Sequence, residues 1–353
     1  MANYQVKLTP VETFFFGGEK LSMSTRGELV ADYFSESNFY PQQTTLLGLI
    51  RYLLLLKNKN IFGNNKITNP SEAEKYIGIS SFNFSEPSLA YGKIKTISPL
   101  YFTNATDNYS FAPLDYNCKL KHDFILERKI DNELKEYTAK DKNKFIEQNI
   151  VSNSGDVQKL EDIIKSSPTV GNEKGEKGKT KEDGFYRQDM KYMAPGWSFA
   201  IDIDVADDSG LLDKDELFIP FGGEKCFFKV EVNKRKKYGA TISSNYQRNY
   251  SAIICLSDSF LKDTSLLNKS KFAINEFVSF RNLQSITRTT EKYDGLSKFD
   301  PLQLRQSNRF NLLQRGSVLY FDDSDGFDLV AAAISHDERL TNIGFNHILT
   351  INQ

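Results

Sequence analysis

Cysteine and histidine are scarce in this chain, with three of each among 353 residues. Cys118, Cys226 and Cys255 have neither CxxC nor CxxH spacing, which argues against a zinc site and a disulfide framework and fits a reducing cytoplasm. No apolar run approaches the roughly 20 residues that span a bilayer. The longest, Leu46 to Leu56, is interrupted by Gly48 and Arg51 and reads as a buried helix. The opening Met1-Ala2-Asn3-Tyr4-Gln5 lacks a basic stretch followed by an apolar core, so no signal peptide, membrane association or exported form is expected. A Walker loop, a nucleophile elbow and a His-Glu-x-x-His helix are also missing, which removes the commonest nucleotide-hydrolysing, esterase and metalloprotease layouts. No cofactor and no metal are expected.

Net charge is nearly absent too, at −1, but it is unevenly spread. Between Lys225 and Arg315 there are 17 Lys and Arg against 7 Asp and Glu, a surplus of +10, so the remainder carries −11. A basic surface of this kind suits a polyanion, while the acidic remainder suits solubility or a protein partner. The basic stretch also carries Tyr238, Tyr246, Tyr250, Phe280, Tyr293 and Phe310 among its amides, the mixture that holds single-stranded nucleic acid by its phosphates and splayed bases. A merely solvated charged face accounts for the charge equally well.

Two glycine turns punctuate the chain. Phe14-Phe15-Phe16-Gly17-Gly18-Glu19-Lys20 and Phe218-Ile219-Pro220-Phe221-Gly222-Gly223-Glu224-Lys225 each set Gly-Gly between an apolar strand and charges. Glycine backbone can expose N–H groups to an anion, although the same pattern serves an ordinary bulge or hairpin. Arg315-Gly316 repeats the pairing of a cation with a glycine. Alternation of period two marks strands at Tyr4–Phe16, Gly184–Met193, Trp197–Val205 and Lys225–Val232, and a helix is expected from Pro41, at its first turn, to about Lys57. Helix-favouring charged stretches at Glu133–Asn149 and Val157–Lys165 lead into a glycine-rich linker at Gly171–Thr180. The acids between Asp202 and Glu216 read as a solvated loop, because they lack the spacing of a calcium site.

Four segments in order resemble the RAMP superfamily of CRISPR guide-RNA proteins, and within it the third subunit of the type III-B Cmr effector complex. They are Leu8–Phe16, the helix Pro41-Gln42-Gln43-Thr44-Thr45-Leu46-Leu47-Gly48-Leu49-Ile50-Arg51, the pair Gly184-Phe185-Tyr186 and Phe221–Glu224, and the C-terminal Arg315-Gly316-Ser317 with Ile343-Gly344-Phe345-Asn346. Gly17-Gly18 stands where the family usually has a basic–acidic pair, and Lys20 or Arg26 is the substitute there. The resemblance implies an α+β chain of two ferredoxin-like (RRM-like) domains, divided here as residues 1–195 and 196–353, with a charged helical or loop insertion at about 129–181.

It also implies a non-catalytic subunit that holds the 5′ handle of the guide RNA. The expected neighbours are the large polymerase-like signalling subunit and the backbone RAMP subunits, with target RNA met indirectly. The RNA contacts expected are Gly17, Gly18, Lys20, Arg26, Gly222, Gly223, Lys225, Lys234, Arg235, Lys236, Lys237, Arg281, Arg288, Arg305, Arg309, Arg315 and Gly316. Two alternatives stay open: a metal-independent endoribonuclease that matures guide RNA, and a subunit that touches only protein. His122, His336 and His347 are the only histidines, and none has a Tyr or Lys at a spacing that suggests acid–base chemistry.

Overall fold

In Ala2–Pro10 the alternation turns Tyr4, Val6 and Leu8 into the core, and Pro10, which has no N–H to donate, closes the strand. Antiparallel neighbours flank it on both sides: Val6 lies opposite Ile201 of Ser198–Val205 and opposite Val232 of Phe227–Lys234. The computed structural model describes residues 2–17, 34–64, 66–78, 82–84, 90–121, 124–130, 133–137, 147–174, 179–207, 209–235, 250–281, 283–285, 304–306 and 308–352. The large sheet so begun has nine strands. They run in the order Val157–Lys159, Asn149–Ser152, Asn108–Phe111, Tyr101–Thr103, Ser198–Val205, Ala2–Pro10, Phe227–Lys234 and Asp215–Pro220, and Ile94–Ile97 also pairs with Ser198–Val205.

Helix α1 (Gln43–Leu56) covers this sheet, as its near-continuous apolar sequence requires. Leu46, Ile50, Leu53 and Leu54 share one core with Val6, Leu8, Ile201 and Val230. Pro41 precedes the helix and its N-cap Gln42, so proline starts the approach and not the first turn.

The charged insertion differs from expectation. Glu133–Glu136 is a strand paired with Leu126–Ile130, and Ile164–Lys174 pairs with Thr180–Met193 in a long antiparallel hairpin from Ile164↔Met193 to Lys174↔Thr180. Among the described residues there, Leu160–Ile163 is the one helical segment, and residues 171–174 and 180, expected in a linker, are strand. Helix propensity is a weak prior, and pairing of the two hairpin arms overrides it.

The C-terminal sheet has four antiparallel strands in the order Phe272–Ile274, Val318–Phe321, Ser251–Cys255 and Ile348–Ile351. Helix Ser324–Ser335 packs Phe327, Val330 and Ile334 on one face against Ile253, Leu319 and Phe321. The opposite face of this sheet, with Ala252, Ile254 and Tyr320, meets Leu114 and Leu126 from the first half of the chain. The halves also share aromatic core: Phe84 lies edge-on to Phe280 at 5.1 Å, and Phe82 stacks on Phe345 at 5.5 Å. Hydrogen bonding crosses the expected division at 195/196, because Ala2–Pro10 lies between two strands that follow it. The last strand of the large sheet in chain order is Phe227–Lys234.

Candidate nucleic-acid interface

The two glycine turns meet. The Gly223 N–H donates to the Phe15 carbonyl at 2.7 Å, and Phe16 packs edge-on against Phe221 at 5.4 Å. Gly222 has a φ of +87°, and a Cβ there would lie 2.6 Å from the Phe15 oxygen, so this close approach needs glycine. The Gly223 N–H, expected to meet RNA, is taken by the first turn in this structure. Gly17 is exposed and bridges Ser37. Lys225, at the tip of the second turn, is exposed with a φ of +56°.

Arg315 and Gly316, also expected at RNA, likewise have partners within the chain. The Arg315 side chain is only 1% exposed and grips Asp258, its Nε and Nη2 donating to the two carboxylate oxygens at 3.2 and 2.9 Å. The guanidinium lies over the rings of Tyr40 at 4.4 Å and Phe111 at 4.8 Å, and the Asp258 charge helps keep the arginine protonated despite burial. Burial pushes the Tyr40 hydroxyl up to about 12. Gly316 donates its N–H to the Cys255 carbonyl at 2.7 Å and accepts from Leu114 N–H at 2.8 Å. Both residues are engaged within the chain, and together they tie the C-terminal sheet to the first half.

The remaining cations are scattered. Lys234 is exposed, with its backbone N–H held by Asp213, and Arg309 is exposed before Phe310–Leu313. Arg235 donates from Nη2 to Gln5 Oε1 at 2.7 Å, Gln5 donates to the Tyr101 hydroxyl at 2.7 Å, and Tyr101 donates to Asp202 at 3.1 Å. Arg281 is half-buried. Gly18, Lys20, Arg26, Lys236, Lys237 and Arg288 lie outside the described residues, as does the side chain of Arg305 in Leu304–Gln306. The acids read as one loop are dispersed: Asp202 and Asp204 belong to Ser198–Val205, Asp204 accepts from Thr96 at 2.8 Å, and Asp215 pairs with Lys57 at 2.8 Å.

A cavity of about 440 Å³ lies between the large sheet and the C-terminal segment, and Tyr101, Asp202 and His347 line it together. No sequence spacing pointed to this meeting, since the three sit on separate elements. The His347 Nε2–H donates to the Thr341 carbonyl at 2.9 Å, and burial holds the ring below the usual histidine range, so it is neutral at pH 7. Because the folded state resists protonation, stability present above pH 6.5, the ordinary value, is expected to fall as the pH drops from there through the lowered folded-state value. His347→Gln should flatten that part of a denaturation profile; an unchanged acid limb would assign the loss to other groups.

Fold and placement define a strand-rich α+β protein: its two largest sheets are antiparallel, its halves share core residues and the buried Arg315–Asp258 pair, and exposed cations lie on outer turns. The chain belongs to the CRISPR-associated protein (Cas_Cmr3) family, whose model matches residues 6–353. Among solved structures it is similar to a chain of the type III-B Cmr-beta bound to cognate target RNA and AMPPnP, with a TM-score of 0.50 and 14% identity over 98% of this chain and 96% of that one. A chain of Cmr-beta bound to cognate target RNA matches with a TM-score of 0.50 and 13% identity, over 98% and 96% of the two chains. No match is found among curated proteins. Among the described residues, no helix is long and apolar enough to cross a membrane.

Proposed function

We propose that the chain is a non-catalytic RNA-binding subunit of a cytoplasmic type III-B Cmr ribonucleoprotein, holding the 5′ handle of the guide RNA between the large signalling subunit and the backbone subunits. The observation that carries this reading is the family match along nearly the whole chain. Support comes from the cognate target RNA bound by the complexes that contain its structural neighbours. We further assign two ferredoxin-like units, divided after Lys234. The central strands Phe227–Lys234, Ala2–Pro10, Ser198–Val205 and Tyr101–Thr103 follow the 4-1-3-2 order of that fold, as do the four strands of the C-terminal sheet.

With Arg315 buried, phosphate contacts fall to cations such as Lys225, Lys234 and Arg309, together with the basic residues of 236–249 and 286–303. Guide-RNA affinity should fall steeply with salt, and Lys225→Ala, Lys234→Ala and Arg309→Ala combined should flatten the log–log slope by about 0.7 for each phosphate that is no longer neutralised. Filter binding from low to physiological salt measures it; an unchanged slope would move the RNA face elsewhere. The nuclease alternative has one feature in its favour, the cavity shared by His347, Tyr101 and Asp202. Repeat RNA is nevertheless expected to stay intact with and without divalent metal, because the histidine is held by a backbone carbonyl. Specific cleavage abolished by His347→Ala would establish the enzyme.

A further inference from the structure

A second cavity, of about 500 Å³, opens on the other side of the Arg315 stack. Phe111 lines the first cavity and Tyr40 the second, and the two rings meet edge-on at 4.9 Å with Arg315 against both. We propose that this second cavity receives an uncharged nucleobase splayed from the bound RNA strand, a site that rests on the RNA-binding reading above.

Charge decides against a phosphate. The cavity holds two carboxylates, Glu36 and Asp258, and each is already matched by a buried cation. Lys191 Nζ lies 3.3 Å from Glu36 and 3.3 Å from Asp189, and Arg315 holds Asp258 at 2.9 Å. Lys191 is shared by Glu36 and Asp189, so two cations face three carboxylates, and this net negative charge repels a phosphate but not a neutral planar ligand. The rest of the lining suits such a ligand. Asn38, Gln42, Gln148 and Gln314 bring carboxamides, which pair with the donor and acceptor edges of bases. Gln42 is the N-cap of α1 but makes no side-chain capping bond. Phe39 and Phe277 add aromatic faces, and Phe277 is 52% exposed, a large apolar ring open to solvent at this cavity. The volume falls within the range of small-molecule sites. The walls come from both halves of the chain, so a bound base would bridge the seam.

The test uses a guide RNA carrying a single abasic site at each handle position in turn, bound to the wild-type protein and to Phe277→Ala and Gln148→Ala. Both variants alter residues outside the fully buried core, and melting curves check that they fold. For the wild type, one abasic position should weaken binding about tenfold or more, the scale of one base stacked on an aromatic ring. In the variants that penalty should shrink to near nothing while the other positions keep theirs. Full-affinity RNA binding with the same abasic profile in all three proteins would overturn the base pocket alone. Failure of the intact guide to bind the wild type would overturn the RNA reading with it. Equilibrium dialysis of the four free nucleosides against RNA-free protein separates the other source of the same chemistry: little retention is expected, and tight retention of one would overturn a strand-borne ligand.

Discussion

Arg315→Met is expected to cost about 3–5 kcal/mol of folding free energy, because it strands the Asp258 carboxylate without its cation in a buried site. The substitution also removes the guanidinium from its seat over the touching rings of Tyr40 and Phe111, so the loss should appear as loosening between the C-terminal sheet and the first half of the chain. Adding Asp258→Leu should recover part of the deficit, since removing both charges leaves no orphan, although the Arg315 N–H then loses its acceptor. Urea unfolding monitored by tryptophan fluorescence and by far-UV circular dichroism measures the change. RNA affinity of the folded fraction should be nearly unaltered. Near-native stability with a collapse of RNA binding would return Arg315 to the phosphates.

Gly316→Ala should lower stability by about 1–3 kcal/mol, with the RNA effect secondary. Two costs coincide at this position. The φ of +87° lies where side chains with a Cβ are strained, and the added carbon would lie 2.9 Å from the Ala112 carbonyl oxygen. Relief requires the turn to part from its neighbours where Leu114 and Cys255 hydrogen-bond to Gly316. Gly17→Ala provides the contrast: its Cβ would meet only the Phe15 ring at 3.5 Å, an ordinary contact, and stability should stay within about 0.5 kcal/mol. Paired melting and binding curves on both variants decide the matter. If Gly316→Ala keeps its melting temperature and loses RNA, the turn faces the ligand after all.

Two strands of the large sheet were legible in the amino-acid pattern, because periodicity is local: Ser198–Val205, buried on both faces, and Phe227–Lys234, buried on one, stand close to where alternation puts them. Helix α1 was legible for the same reason. The hairpin arms Ile164–Lys174 and Thr180–Met193 were not, since their charged, glycine-punctuated sequence carries weak local preference and their structure comes from pairing with each other. The role of Arg315 was hidden more deeply. A cation beside a glycine looks alike whether its partner is a phosphate or a carboxylate 57 residues earlier in the chain, and only the fold brings Asp258 to it. That the large sheet continues past 195/196 was not legible, because the strands flanking Ala2–Pro10 lie about two hundred residues downstream. Both cavities are products of the seam between the halves, and no single segment announces them.

The most direct measurement is purification of the chain with its native partners, followed by sequencing of the bound RNA and mapping of its 5′ ends before and after crosslinking to this subunit. A guide-RNA scaffold predicts repeat-derived RNAs with a common 5′ handle, crosslinked to this chain through handle nucleotides. RNAs without a shared 5′ end, or a handle crosslinked only to other subunits, would contradict it.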